Sequence, residues 1–150
     1  CSGALQCAMQ VVARNDDAEK SPRRAPGKEH TMEAIKLNEK FTKINDHWNP
    51  RIIGELNDTY VKAVKIQGEF HWHHHDDEDE LFFIVKGRLR MKFRDREVIV
   101  QPGEFIIVPK GVEHLPVADE EVHMLLVEPK TTLNTGNVRN ERTVVELERL

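Results

Sequence analysis

Four of the eight histidines of this 150-residue chain fall within residues 71–75, in the run Gly68-Glu69-Phe70-His71-Trp72-His73-His74-His75. An unbroken acidic stretch, Asp76-Asp77-Glu78-Asp79-Glu80, follows at once. On an extended strand alternate side chains share a face, so His71, His73 and His75 are expected to point one way and Trp72 and His74 the other. Two imidazoles spaced in this way can meet a common ion about 2.0 to 2.2 Å from each nitrogen. A carboxylate returning after the acidic turn, from Asp79 or Glu80, would add an anionic donor, and a third histidine from another strand would complete four. Such a set suits one divalent transition metal ion, Fe, Mn, Ni, Co, Cu or Zn, rather than calcium, and leaves coordination positions open for water or substrate.

A plainer reading stands beside this one, because a run of histidines and acids can be a solvated loop or a metal-scavenging tract. The flanking Phe70, Trp72 and Leu81-Phe82-Phe83-Ile84-Val85 favour a packed setting. Asp76, Asp77, Glu78 and Asp79 read as a solvated turn. Glu69 and His71 share the inward parity and are the candidate catalytic bases, although His71 reads equally as a pocket wall or as a partner standing behind a ligand. His123, between Val122 and Met124, reads as a lining or satisfied core residue. His30, His47 and His74 read as surface residues, and Trp48 as packing the end of a helix against the domain.

The elements that must position these groups are short. Residues 33–45 place Ile35, Leu37, Phe41 and Ile44 near one helical face, with Asn49-Pro50 as a stop, and predict one amphipathic helix. Beyond it the period changes to two. Residues 88–94 (RLRMKFR) alternate Leu89, Met91 and Phe93 with basic residues, the pattern of a half-buried strand. Further strands are predicted at 51–56, 59–66, 69–75, 80–86, 97–100, 105–108, 112–117 and 122–127. Turn chemistry separates them at Asn57-Asp58, Lys86-Gly87, Asp95-Arg96, Pro102-Gly103 and Pro109-Lys110-Gly111. Many short antiparallel strands with no interleaved helices predict an all-β barrel or sandwich with one short N-terminal helix. A polar tail begins at about residue 129, and its Val144-Val145-Glu146-Leu147 fits an edge strand or a short helix.

Composition narrows the function classes. Hydrophobic residues make up 39% of the chain, enough to fill one core of ordinary size. The 22 basic and 26 acidic residues, net charge −4, are mixed along the chain, which disfavours nucleic acid as a partner. No apolar run reaches the roughly 20 residues of a membrane span. Both cysteines, Cys1 and Cys7, precede the domain, so no disulfide framework is expected and a cytoplasmic address fits. Residues 14–31 carry no hydrophobic period and read as a linker or disordered arm. Met32 reads as a native start, with 1–31 an upstream extension and 32–150 the domain. The Cys1-Ser2-Gly3 opening also fits the mature end of a lipidated protein.

The spacing resembles the cupin family. Its first motif is a glycine, a short spacer, His-x-His, three or four residues, Glu, six residues and Gly. Gly68, His73, His75, Glu80 and Gly87 match it, with one residue fewer between the first glycine and the first histidine (motif at 68–87). Its second motif is matched by Gly103, Pro109, Gly111 and His114, with Ala118 where the family has asparagine (motif at 103–118). The resemblance implies a double-stranded β-helix, the jelly-roll barrel of six to eight strands, with one ion bound by His73, His75, Glu80 and His114. It favours Glu80 over Asp79, and the longer arm of Glu80 agrees. It also implies a homodimer and a small-molecule ligand or substrate. The function expected from these residues is a metal-dependent enzyme, a dioxygenase or isomerase acting on a small oxygenated organic molecule. The alternative is a non-catalytic ligand- or metal-binding module.

Overall fold

The computed structural model describes residues 32–150; Cys1, Cys7, His30 and the expectations for residues 1–31 lie outside the described residues. One short helix, α1 (Leu37–Phe41), precedes seven strands. These are β1 (Arg51–Leu56), β2 (Thr59–Glu69), β3 (Glu80–Lys86), β4 (Leu89–Phe93), β5 (Glu97–Val100), β6 (Phe105–Val108) and β7 (His114–Pro129). Every pairing between them is antiparallel, in the order β1-β2-β7-β3-β6, with β4 joined to β5 and β7. The architecture is the expected all-β jelly roll.

β7 organises the barrel because it carries partners on both edges. Along one edge β2 follows it from Thr59↔Pro129 to Glu69↔Val117. On the other edge its C-terminal half holds β3 and its N-terminal half holds β4. The period-two pattern then sends one face inward: Val64 and Ile66, Phe82 and Ile84, Leu89, Met91 and Phe93, Val122, Met124 and Leu126 form one buried cluster. Each such side chain, fully buried, contributes about 1.5–3 kcal/mol, so the fold rests on this interior. A smaller cluster of Phe41, Ile44, Ile53 and Ala63 seats the helical segment on the outer face.

Several expected boundaries differ from those observed. The predicted strands at 112–117 and 122–127 are one 16-residue strand, because the polar Asp119-Glu120-Glu121 between them is a bulge rather than a turn. Its acids stay outside, Asp119 accepting from Arg90 at 2.9 Å and Glu121 facing His47 and His123. The helix is five residues rather than thirteen; no side chain caps its start at Lys36, and Ile35 is exposed while Ile44 is buried beyond its end. Val144–Leu147 is neither strand nor helix. The chain end reaches β1 by a single parallel bridge, Ile52↔Arg149.

Candidate metal centre

The predicted strand at 69–75 does not form as such. β2 ends at Glu69, and residues 70–79 are irregular apart from one bridge, His73↔His114. Pro116 supplies the reason. It accepts from the Phe70 N–H at 3.1 Å but has no N–H to return, so the ladder breaks and resumes only where His73 and His114 exchange both backbone bonds, at 3.1 and 2.9 Å. That resumption ties the first motif to the second by backbone alone. The alternation expected of a strand survives in the burial: His73 and His75 are buried, Trp72 and His74 are not.

Four buried side chains converge there. One donor atom from each of His73, His75, Glu80 and His114 lies within 4.8 Å of all the others. Glu80 comes from the first inward position of β3 and His114 from the first of β7. Two of the rings are held by local backbone: His73 Nδ1 lies 3.0 Å from the His71 carbonyl oxygen and His114 Nδ1 lies 2.9 Å from that of Val112. A ring nitrogen donating to a carbonyl fixes the tautomer and leaves Nε2 as a lone-pair donor.

The converging atoms fit a metal ion. Glu80 Oε2 stands 3.1 Å from His75 Nε2 and 3.5 Å from His114 Nε2, yet these three buried atoms have no aligned hydrogen-bond partner. An ion about 2.1 Å from each donor separates neighbouring donors by roughly 3.0 to 3.4 Å, which is this spacing. Electrostatics agree. Burial pushes the His73 imidazole down to about 3, with His114 adding to the shift, so His73 is neutral and ready to bind. Burial alone would raise the Glu80 carboxyl, but the facing His114 and His75 outweigh it and hold the group below the ordinary carboxylate range.

Beside the donors is a cavity of about 30 Å³, room for one or two waters. Its walls are largely apolar, with Trp48, Phe70, Phe82, Met124 and Leu126 among them, and its polar lining is His73, Glu80 and Asn134. Trp48 therefore closes this cavity instead of packing the helix end: it stacks on Phe70 at 4.7 Å, and its indole N–H donates to the Gln67 carbonyl.

The comparisons with known proteins agree with this geometry. The cupin-domain family profile matches residues 61–128. A cupin-2 domain containing protein from Shewanella frigidimarina NCIMB 400 is 47% identical over 65% of this chain and 95% of its own, with a TM-score of 0.64. The chain belongs to the cupin family. A second solved structure, protein NMB1881 from Neisseria meningitidis, is 30% identical over 65% of this chain and all of its own, with a TM-score of 0.60. The uncharacterized protein YdbB of Bacillus subtilis (strain 168) is 40% identical over 63 residues, so the chain spans 56% of that relative's length.

In this cupin the catalytic candidates part company. Glu69 is exposed and faces Lys92 at 3.4 Å, away from the donors. His71 is half-buried; its carbonyl rather than its ring orients His73, and its Nε2 is buried without a partner. Asp79 is exposed, as expected of a solvated turn, and accepts the Lys110 N–H at 2.9 Å, bracing the turn before His114. His123 lies on the outer face, stacked on Phe41 and facing Glu121, not in the lining. His47 is exposed, and His74 is half-buried with its ring against Asp76. Gly87 has a visible reason: at φ 82°, a Cβ there would stand 2.7 Å from the Glu121 carbonyl in the β7 bulge.

Two groups of site residues escaped sequence reasoning. The polar tail folds back as a strap: the Asn137 side chain accepts the His74 N–H and its own N–H donates to the His74 carbonyl, each at 3.0 Å. Thr135 is buried beneath it, and Gly136 approaches so closely that a Cβ would lie 2.2 Å from the His74 oxygen. The other group is a charged pair inside the barrel, Lys62 and Glu128, both fully buried. Its only sequence signal is polarity breaking an inward apolar register on β2 and β7.

Proposed function

We propose that this cupin is a metal-dependent oxygenase for a small, uncharged, oxygen-bearing organic molecule, with His73, His75, Glu80 and His114 holding one divalent transition metal. The observation that carries this reading is the convergence of buried, hydrogen-bond-free donor atoms beside an apolar cavity. When bound, a redox-active metal supplies Lewis acidity and a place for dioxygen beside a chelating substrate. The chain's own residues do the rest. His71 and Val112 carbonyls keep His73 and His114 in the tautomer that offers Nε2. Trp48, Phe70 and Phe82 exclude bulk water and favour an apolar ligand body. Asn134 is a neutral hydrogen-bonding group for a substrate oxygen.

Oxygenation is favoured over isomerisation by the cavity lining. Among the described residues no Lys or Arg lines it to grip a phosphate, and no carboxylate besides Glu80 lines it to shuttle a proton. The proposed assembly is a homodimer and the proposed address cytoplasmic, both following the sequence reading; no helix among the described residues is long and apolar enough to cross a membrane.

The test is elemental analysis of protein purified without an affinity tag or added metal, followed by oxygen uptake with small diketones, catechols and flavonols. Iron, copper or nickel with uptake is expected. Zinc with no uptake across the panel would overturn the oxygenase reading and leave a non-catalytic binding module.

A further inference from the structure

Behind Glu80 the barrel carries two charges that the ligand set does not use. On β2 the inward positions run Lys62, Val64, Ile66, and on β7 they run Val122, Met124, Leu126, Glu128. Lys62 Nζ reaches Glu128 Oε1 at 2.5 Å, with neither side chain exposed. Among the described residues Lys62 is the buried cation, and Glu80 and Glu128 are the buried carboxylic side chains. One step beyond the Leu81↔Val127 pair, Glu80 stands beside Glu128 across the β3–β7 seam. Glu128 Oε2 is buried with no hydrogen-bond partner. Lys62 therefore meets Glu128, Glu128 neighbours Glu80 in the strand register, and Glu80 faces His75 and His114.

A pair of this kind is a poor way to stabilise a barrel. Removing two charges from water is costly, and replacing such pairs by apolar residues of similar volume is often neutral or stabilising. An apolar pair at these two positions would continue the inward register of Val64 and Leu126. The position of the pair offers another role: a carboxylate that must present one oxygen to a metal needs its other side held, and groups that hold a ligand set the affinity and geometry of the site.

We infer that Lys62 and Glu128 are positioning residues for the metal, Lys62 anchoring Glu128 and Glu128 fixing the Glu80 carboxylate toward His75 and His114. The inference rests on the metal reading above and assigns the means by which its anionic donor is aimed. Lys62 also offsets the second buried carboxyl, so that the ion meets one carboxylate donor and not two competing ones.

The experiment titrates Co(II) into the full chain by calorimetry and records the visible ligand-field bands of the complex, which report coordination geometry. The double variant Lys62→Met/Glu128→Leu removes the pair without stranding a charge. It should unfold at or above the wild-type temperature and bind Co(II) about 10- to 100-fold more weakly with shifted bands. Glu128→Asp, drawn back by one methylene, should likewise bind Co(II) more weakly with shifted bands. Wild-type affinity and bands in the double variant overturn the inference alone. Should that variant fail to fold, wild-type behaviour of Glu128→Asp does the same. Absence of Co(II) binding by the wild-type protein overturns the metal reading, and this inference with it.

Discussion

Replacing His73 by glutamine should flatten the acid limb of the metal-free protein's stability. In the folded chain burial holds His73 neutral down to about 3, while an unfolded histidine titrates near 6.5. Between those values the unfolded state binds the extra proton, so stability is greatest above about pH 6.5 and falls as pH falls, by roughly 1.4 kcal/mol per unit for one such group. From pH 7 to pH 5 the two titration curves give a loss of about 2 kcal/mol from His73 alone, most of it below pH 6.5. The figure barely depends on the folded value so long as that lies below about 4. Urea unfolding of both proteins in excess chelator, at pH 7 and pH 5, reads it directly. Wild type should lose about 2 kcal/mol more than His73→Gln over that interval, a difference that cancels the other histidines. Equal losses in the two proteins would show that His73 is not held neutral by burial, and the description of the site as a dry cluster of lone-pair donors would fall with it.

His114→Ala should weaken metal binding by more than the roughly 100-fold typical of losing a partner behind a ligand. His74→Ala, whose ring faces Asp76, should bind normally by the same elemental analysis. Glu80→Gln should lose most of a redox metal, and Asp79→Asn, which keeps an acceptor for the Lys110 N–H, should retain it; the reverse pattern would move the anionic donor to Asp79. Gly136→Ala should destabilise by about 1–3 kcal/mol through overpacking and also weaken metal binding, because the new methyl meets the His74 carbonyl and the His73 ring. Calorimetric unfolding with and without metal separates the two effects, and a fully wild-type Gly136→Ala would argue that the strap does not brace the site.

The site residues were legible because their chemistry is rare and locally spaced. His73 and His75 at alternate positions, an acidic turn, and a glycine- and proline-marked second segment ending in His114 are a pattern with few other uses. Strand boundaries were legible wherever both faces of a strand differ, as in β3 and β4, whose burial alternates as the period of two requires. They failed where one polar stretch admits two structures. Asp119-Glu120-Glu121 separates two predicted strands, yet as a bulge within one strand its charges meet Arg90, His47 and His123. The helix was overlong because apolar periodicity counts Ile35 and Ile44 as helical whether or not backbone hydrogen bonds reach them.

Local pattern in the chain was enough to specify the all-β class and the shared face of His73 and His75, since each depends on residues close in sequence, while the choice of Glu80 and His114 as the other donors followed from the resemblance to the cupin motifs. Which groups hold those donors was decided by contacts across large separations. The side chain and backbone N–H of Asn137 clasp the His74 backbone from 63 residues away, and Lys62 meets Glu128 across 66. The first contact leaves no periodic mark and the second only a polar break in an apolar register, because the folded barrel alone brings together partners so far apart, and a buried charge is tolerated only where the barrel supplies its partner.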